Sequence, residues 1–282
     1  MKEKISGFLT GSFLFLLFPY VITMLINGMD TALLNRSLDL EACLPGMVSL
    51  QIPADYELEA VKSQTIISRT NLYRQIREEK NLAGVLEELR ENIRETRDFW
   101  FFPEEIYEEA AGQTEGLVLY YEGELKLVPF HEVSGGKTRD GEEVLHDEEF
   151  SYLEAVDSSV DKTSPDYLNS TYVSQQQMPK ELEVNKRDSA GYVTSLLADG
   201  NVLEGEAFRQ GMGLESSNFT IQKVGEEYRL LCKGKGHGLG FSQYGGNEIA
   251  RAGGKYQDIL AAYFPEMEIG TVENQGDSFV KK

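Results

Sequence analysis

The chain has 282 residues and a formal net charge of −20, with 27 Lys and Arg against 47 Asp and Glu. This excess of negative charge argues against nucleic acid as a partner, because phosphate binding requires clustered Lys and Arg. Hydrophobic residues make up 41% of the chain and include 14 Tyr and 14 Phe, a composition that excludes a disordered polypeptide and predicts a packed core.

The first predicted element is an apolar stretch, residues 5–29, which contains no charged side chain. About 20 apolar residues span a bilayer as a helix, and Lys2 and Lys4 before the stretch place the N-terminus in the cytoplasm by the positive-inside rule. A cleaved signal peptide is the alternative, but no Ala-x-Ala-like cleavage site follows the stretch. We therefore expect a single-pass protein of the cell membrane, with residues 30–43 as a linker and an extracytoplasmic main domain.

The next segments predict a strand and then a long helix. Residues 44–52 are apolar and rich in β-forming residues, which predicts a strand. Asp55 is a candidate N-cap, and Glu57 and Glu59 fall in the first turn, where the helix dipole stabilises negative charge. Buried positions are then expected at spacings of three, four or seven. They are Leu58, Val61, Thr65, Leu72 and Ile76.

Residues 81–97 show the same helical periodicity and predict a second helix. The aromatic cluster at 99–102 follows it and is expected to pack against a sheet. A first hairpin is predicted between strands 117–121 and 125–130, which flank an acidic turn with a central glycine. The second of these strands contains a proline near its end, which indicates an edge position.

The C-terminal half predicts a second hairpin, between 191–197 and 201–208, around the turn Asp199-Gly200. Residues 169–187 are polar and predict a loop. The remaining predicted elements are strands at 219–222 and 228–232 and helices at 242–252 and 256–263. Strands and helices do not alternate regularly, so the predicted fold class is α+β, a single mixed domain of β-hairpins and helices.

The chain has two cysteines, Cys43 and Cys232. An extracytoplasmic location permits a disulfide, but two buried thiols are the expectation for a single pair in a chain of this size. No spacing of Cys and His matches a zinc site. We therefore expect neither a structural metal nor a cofactor.

The stretch 234–265 carries a concentration of glycines around one histidine. Gly234, Gly236, Gly238 and Gly240 alternate along the chain and bracket His237. Glycine allows positive φ and close approach of the backbone to a ligand or another strand. The pattern is compatible with a functional site and equally with a glycine-rich turn before a helix. It lacks the spacing of a nucleotide-binding loop.

Four blocks of the sequence, in the right order, resemble motifs of the stage II sporulation protein D family, also called the amidase-enhancer family. They are IPADYELEAVKSQTIISRTNLY at 52–73, TEGLVLYYEGELKLVPFHEVSGGKT at 114–138, YLEAVDSSVDKTSPDY at 152–167, and GHGLGFSQYGG with YQDILAAYFP at 236–265. The resemblance implies one domain over residues 44–270, followed by a tail at 271–282.

The resemblance implies the chemistry of a lytic transglycosylase acting on peptidoglycan glycan strands, preferably strands already stripped of stem peptides. One carboxylic acid protonates the glycosidic oxygen and then takes a proton from the sugar's own 6-hydroxyl, which closes an anhydro ring. One Glu suffices because the sugar supplies the nucleophile, whereas ordinary glycosidases use two carboxylates. The family position of that Glu, directly before Ile-Pro, is Gln51 in this chain. A carboxamide cannot exchange a proton near neutral pH, so the position is predicted to be inactive.

Other site residues are carried by the same blocks. His131 and His237 are candidates for polarising a hydroxyl or holding an N-acetyl group, although a lone histidine is often a structural hydrogen-bonding residue. The positions that the resemblance implies for substrate binding are Lys62, Gln64, Arg69, Ser134, Gly135, Gly136, Gly236, Gly238, Ser242, Gln243 and Tyr244.

Three hypotheses follow from the substitution at Gln51. The chain is a membrane-anchored protein that binds glycan strands with little or no cleavage, or an active lytic transglycosylase that uses another carboxylate, or a non-catalytic amidase enhancer or structural partner. Glu57 and Glu59 lie nearby in sequence as candidate substitute acids. The partners implied by the resemblance are peptidoglycan glycan strands, a cell-wall amidase and other membrane sporulation proteins, in wall remodelling during engulfment.

Overall fold

The computed structural model describes residues 40–79 and 104–272. The chain divides into two compact units, Met1–Cys43 and Leu44–Lys282. Within the described ranges, no helix combines the length and the apolarity that a membrane span requires. Four predicted segments lie outside the described residues and stay predictions: the apolar stretch 5–29, the helix 81–97, the aromatic cluster 99–102 and most of the tail, 273–282.

The strand predicted at 44–52 is wrong, because these residues belong to a helix, α1 (Leu40–Ser49), and the turn that follows it. Leu44 and Val48 are four residues apart and both are fully buried, as on one face of a helix. Strand propensity spans only about 1 kcal/mol and depends on packing context, so tertiary contacts override it. The chain leaves α1 through a turn in which the Gln51 N–H donates to the Val48 carbonyl at 2.9 Å.

The long predicted helix is confirmed as α2 (Leu58–Glu79), although it begins three residues after Asp55. Its start is held by another part of the chain, since the Glu57 N–H donates to Asn247 Oδ1 at 2.8 Å. The predicted positions are buried, with Leu58 only partly so, but residues 60–70 are buried on every side of the helix and not on one face alone. The helix packs Ile66 and Ile67 into the main apolar core and is therefore the central element of the domain.

The first predicted hairpin is half right. Its turn forms at Glu122 and Gly123, which take φ values of 51° and 79°, but residues 125–129 are not a strand. Strand β1 (Leu117–Tyr120) instead pairs antiparallel with β10 (Glu268–Thr271) at the far end of the chain. The reason lies in α2, where the side-chain amide of Asn71 binds both the N–H and the carbonyl of Val128, each at 2.8 Å. Helix α3 (Glu105–Gln113) precedes β1.

Two three-stranded antiparallel sheets form the other half of the domain. One contains β3 (Leu168–Ser174), β7 (Phe219–Val224) and β8 (Glu227–Lys233), with β8 in the centre. The other contains β4 (Leu182–Arg187), β5 (Val193–Ala198) and β6 (Asn201–Glu204), with β5 in the centre. Val193 and Leu196 of one sheet pack with Phe219 and Leu230 of the other in one core.

The loop predicted at 169–187 is wrong, because it contains β3 and β4. Both are outer strands with many exposed side chains, so their sequences are largely polar, and only Val173, Leu182 and Val184 pack on the shared core. The Asp199-Gly200 hairpin is confirmed, with φ values of 47° and 80° in the turn. Its second strand is shorter than predicted because Gly205–Gly211 forms helix α5, whose first turn is capped by Glu204.

A short parallel pair brings the motif blocks together. Strand β2 (Phe130–His131) pairs with β9 (Phe241–Ser242), so that His131 lies beside Ser242. Helices α6 (Gln243–Arg251) and α7 (Tyr256–Tyr263) follow and confirm the two predicted closing helices. The short helix α4 (Gly141–Leu145) lies between the two blocks in sequence. The described chain is thus a mixed α+β fold, as predicted.

Only one of the two thiols is fully buried. Cys232 lies in the core shared by the two sheets, and burial raises its pKa. Cys43 is half-buried.

Candidate functional site

A cleft of about 290 Å³ opens between the turn after α1 and the start of α6. It is called the Gln51 cleft below. Its walls are the turn 49–54, Tyr56, Glu104, Tyr107, Glu132 and Gln243. The cleft therefore draws on three of the four motif blocks, or their immediate neighbours, and contains the position at which the resemblance implies the proton donor.

The amide of Gln51 is fixed by buried polar side chains. Its Oε1 accepts hydrogen bonds from Gln64 Nε2, at 2.9 Å, and from Ser68 Oγ. Its backbone carbonyl accepts a bond from Gln243 Nε2 at 2.7 Å, and the same nitrogen donates to Gln64 Oε1 at 3.0 Å. Gln64, Ser68 and Gln243 are all at most 2% exposed. This network presents a neutral hydrogen-bonding group to the cleft and has no acidic member that could deliver a proton.

Two carboxylates line the same cleft, but neither lies in an apolar environment. Glu132 is half-exposed, with 53% of its side chain accessible, and forms an ion pair with Lys235 at 2.6 Å. Glu104 is exposed. A general acid that works near neutral pH needs desolvation or a like charge to keep its proton. Neither Glu132 nor Glu104 has such a setting.

Tyr56, on the wall of the cleft, has a raised pKa. Burial, followed by the charges of Asp55, Glu132 and Asp166, raises its pKa to about 12. An additional negative charge on the phenol is thus disfavoured, and Tyr56 stays a neutral hydroxyl at physiological pH. The cleft accordingly combines amides, hydroxyls and carboxylates, which are groups suited to hydrogen-bonding a polyol.

Glu57 and Glu59, the two candidate substitute acids, do not line the Gln51 cleft. Burial acts to raise the pKa of Glu59, but hydrogen bonds from Lys62 and from the Tyr256 N–H outweigh it, and the pKa is lowered. The Lys62 ammonium lies 2.7 Å from the Glu59 carboxylate. Lys62 is therefore engaged in an ion pair near the start of α2.

The two predicted catalytic histidines lie next to each other, and neither lines the Gln51 cleft. Their ring centroids are 5.8 Å apart. His131 Nδ1 donates to the Leu239 carbonyl at 3.0 Å, and its Nε2 is buried without a hydrogen-bond partner. Burial, with the neighbouring His237 second, lowers the pKa of His131 to about 3. Burial also lowers the pKa of His237. A role for these two histidines at the substrate stays a prediction.

The alternating glycines bring two backbone segments into contact. Gly236 and Gly238 take φ values of 108° and 81°. A Cβ atom at Gly236 would lie 2.7 Å from the Cβ of His131, and one at Gly238 would lie 2.4 Å from the Tyr192 ring. Glycine is required here by close packing of protein against protein. The pattern predicted a tight approach of the backbone, and the partner is the 129–134 segment and Tyr192.

A buried carboxylate that the sequence reasoning missed organises this region. Asp161 Oδ2 accepts bonds from the Ser134 N–H at 2.7 Å and from Ser242 Oγ at 2.8 Å. Burial raises the pKa of Asp161, and the donors Ser134 and Ser242 oppose that shift. Asp161 joins the Ser134-Gly135-Gly136 loop to the start of α6. Its only signal in the sequence is its place in the block at 152–167.

The other residues predicted to bind substrate have structural partners. Arg69 is fully buried and donates to the Leu117 carbonyl at 3.1 Å and the Ala111 carbonyl at 3.3 Å. The Gly135 N–H donates to the Tyr192 hydroxyl at 2.8 Å. Of the predicted set, Gln243 lines the Gln51 cleft and Gln64 contacts Gln51. The remaining nine residues do not line it: Lys62, Arg69, Ser134, Gly135, Gly136, Gly236, Gly238, Ser242 and Tyr244.

A second feature missed from the sequence is a buried ion pair. Arg139 Nε donates to Asp188 Oδ2 at 2.6 Å, and both side chains are at most 6% exposed. The guanidinium lies over the Tyr192 ring and also donates to the His237 carbonyl at 3.2 Å. The pair therefore holds the guanidinium of Arg139 against the backbone of the glycine-rich segment, at the carbonyl of His237. Arg139 and Asp188 are 49 positions apart in sequence, and no local pattern around either residue predicts the pair.

The fold and the site define a class of protein: an α+β domain with a polar cleft, whose wall includes two glutamine amides, and with glycine-rich segments that pack against the protein itself.

Residues 29–121 match the family model described as Stage II sporulation protein. The chain is 27% identical over 272 residues to the stage II sporulation protein D of Bacillus amyloliquefaciens, covering 88% of this chain and 77% of that protein. The protein of the same name from Bacillus subtilis (strain 168) is 26% identical over 274 residues, with 88% and 78% covered.

A shorter match connects the chain with a second kind of protein. Over 51 residues it is 43% identical to the amidase enhancer of Bacillus subtilis (strain 168), which covers 18% of this chain and 7% of that protein. The chain is therefore similar to stage II sporulation protein D over most of its length and to the amidase enhancer over a short segment. This confirms the resemblance carried by its four motif blocks.

Proposed function

We propose that the chain binds peptidoglycan glycan strands at the Gln51 cleft and cleaves them weakly or not at all. The observation that supports this is the carboxamide of Gln51, held at Oε1 by Gln64 and Ser68. An amide offers hydrogen bonds to sugar hydroxyls and N-acetyl groups but cannot supply the proton that the glycosidic oxygen needs. The walls of the cleft remain suited to a polyol.

The environment of the nearby acids supports the same proposal. Glu132 is half-exposed and paired with Lys235, Glu104 is exposed, and Glu59 is paired with Lys62. Glu132 and Glu104 are accessible to water, and Glu59 is largely buried but lies against the Lys62 ammonium, so none of the three combines desolvation with the absence of a cation, as a general acid that keeps its proton requires. An active lytic transglycosylase would have to draw its proton from one of them, or from a residue outside the described ranges.

In this proposal the protein is held at the cell membrane by residues 5–29, with residues 44–270 on the extracytoplasmic side, where the glycan lies. The apolar, uncharged character of the first segment supports the anchor. A second candidate role, that of a non-catalytic enhancer of a cell-wall amidase, is favoured by the match to the amidase enhancer. The two roles are compatible, since a bound strand can be presented to a partner enzyme.

Binding is tested by co-sedimentation of the purified full chain, in mild detergent, with insoluble denuded glycan. Tyr56→Ala removes a half-buried ring from the wall of the cleft, and we expect it to weaken binding about fivefold or more. Tyr120→Ala is the matched control, because Tyr120 is also a half-buried ring and lies on β1, outside the cleft. If wild type does not sediment with the glycan, or if both variants lose binding equally, the proposed site is wrong.

A further inference from the structure

The free edge of β3 is unusual among the outer strands of the two three-stranded sheets. The other three all carry charge: β7 contains Lys223, β6 contains Glu204, and β4 contains Lys186, next to shifts in its pairing register. Natural proteins use such charges and irregularities to prevent other chains from pairing with an exposed edge. In β3, whose sequence is LNSTYVS, no residue is charged, although 26% of the whole chain is.

The geometry of β3 suits the addition of a strand. Its seven residues pair with β8 in an unbroken register, from Leu168 opposite Lys233 to Ser174 opposite Glu227. It contains neither proline nor glycine, and among the described residues its other side has no paired strand. Leu168 and Tyr172 are 56% and 53% exposed, four residues apart on one face of the sheet.

We propose that β3 is a dimerisation edge, at which a second copy of this chain pairs antiparallel through its own β3. The two-fold axis passes through Thr171, which then lies opposite its equivalent. Ser170 lies opposite Tyr172 of the second copy, and Leu168 opposite Ser174. The two sheets become one continuous sheet, and the exposed Tyr172 and Leu168 of each copy gain cross-strand neighbours.

The charges on β8 favour this orientation only weakly, because they lie three strand spacings, about 14 Å, apart in the dimer. Because Ser174 pairs with Glu227 and Leu168 with Lys233, antiparallel pairing puts Glu227 and Lys233 of the second copy at the two ends of one cross-strand row. Parallel pairing in register would put Glu227 in a row with its own equivalent. An uncharged contact strand also keeps the closest atoms neutral, so two chains of net charge −20 repel only over longer distances. Salt screens that repulsion, so the dimer should tighten as salt is added.

Position-specific crosslinking tests the register in the full chain, kept in mild detergent, with copper phenanthroline as oxidant. In Thr171→Cys the two thiols lose two protons and two electrons to the oxidant and form one disulfide. Directly opposed residues have Cα atoms about 4.5–5.5 Å apart, within the range of a disulfide. In the control Ser174→Cys the equivalent residues are six positions apart, roughly 20 Å. We expect about tenfold more crosslinked dimer with Thr171→Cys than with Ser174→Cys or wild type.

A charge on the edge tests the interface without an added thiol. Tyr172→Lys changes an exposed side chain, and we expect it to lower the dimer fraction in analytical ultracentrifugation about tenfold. Val202→Lys on the outer strand β6, where Val202 is 66% exposed, should leave the dimer intact. Unchanged circular-dichroism melting of both variants excludes unfolding. If the wild-type chain sediments as a monomer at all salt concentrations, the proposal is overturned. The free edge of β3 would then be available for a strand of another protein. Equal crosslinking at 171 and 174, or a dimer insensitive to Tyr172→Lys, also overturns it.

Discussion

Replacing Gln51 by Glu restores an acid to the cleft without changing its shape. Oε1 of the new side chain keeps the acceptor position now bonded by Gln64 and Ser68, so the network is preserved. A positioned general acid contributes about 10²–10⁴-fold in rate. We therefore expect Gln51→Glu to create or raise cleavage of denuded glycan strands.

The same network sets the size of the gain. Hydrogen bonds from Gln64 and Ser68 favour the charged form of a carboxyl group, whereas partial burial favours the neutral form. A carboxyl with a pKa of about 5 is roughly 1% protonated at pH 7. The gain should therefore lie near the lower limit, about 10²-fold at pH 7, and should increase as the pH is lowered towards 5.

The assay is mass spectrometry of anhydro-ended fragments released from denuded strands by the purified full chain. Leu50→Glu is the matched control, since Leu50 lines the same cleft but its side chain has no part in the Gln51 network. It adds an acid at the wrong place and should give no gain. If folded Gln51→Glu binds strands but stays inactive, or if Leu50→Glu gains as much, the reasoning about the pocket is refuted.

Three further predictions concern the support of the site. Burial lowers the pKa of His131 from 6.5 to about 3, so below pH 6.5 the unfolded state binds more protons than the folded state. The free energy of unfolding, measured in urea, should therefore fall by about 2 kcal/mol between pH 7 and pH 5 from this group alone. His131→Asn should remove that part of the pH dependence, whereas His146→Asn, at an exposed site, should retain it. Asp188→Asn leaves a buried guanidinium without its counter-ion and should cost about 3 kcal/mol in urea unfolding, whereas Glu248→Gln, in a more accessible pair, should cost less than about 1 kcal/mol. Gly238→Ala places a Cβ 2.4 Å from the Tyr192 ring at a φ of 81° and should cost about 1–3 kcal/mol; a melting temperature equal to that of wild type would contradict the packing described for this segment.

Local patterns predicted the elements whose cause is local. The periodicity of α2 and the Asp199-Gly200 turn are read from adjacent residues, and both form as expected. The strand β1 pairs with β10 because Asn71 occupies the backbone of Val128, a contact between residues 57 positions apart. Asn71 and β1 compete for the backbone groups of Val128, and a short stretch of sequence cannot show this because it does not include both Asn71 and Val128. The helix at 40–49 was missed for the same reason, since packing and not propensity decides a short apolar segment.

The site was predicted in part for a similar reason. The resemblance assigned positions to Gln51, Gln64 and Gln243, and these three residues do lie together in one hydrogen-bonded network; that they bind substrate stays a prediction. The resemblance did not separate residues that touch the cleft from residues that build its support. His131 and Asp161 belong to the second kind, and only burial and hydrogen-bond partners reveal it. A histidine between glycines indicates a close approach of chains without saying whether a ligand or the protein fills the space.

Turnover by the wild-type chain tests the central claim most directly. Purified full chain is incubated with an excess of denuded glycan strands, and anhydro ends are counted by mass spectrometry while bound strand is measured in the same sample. We expect the strands to stay bound and largely intact, with anhydro ends formed at least about 10²-fold more slowly than by Gln51→Glu. Ends that accumulate as fast in the wild-type sample as in the Gln51→Glu sample would contradict a cleft that presents an amide where the acid is expected.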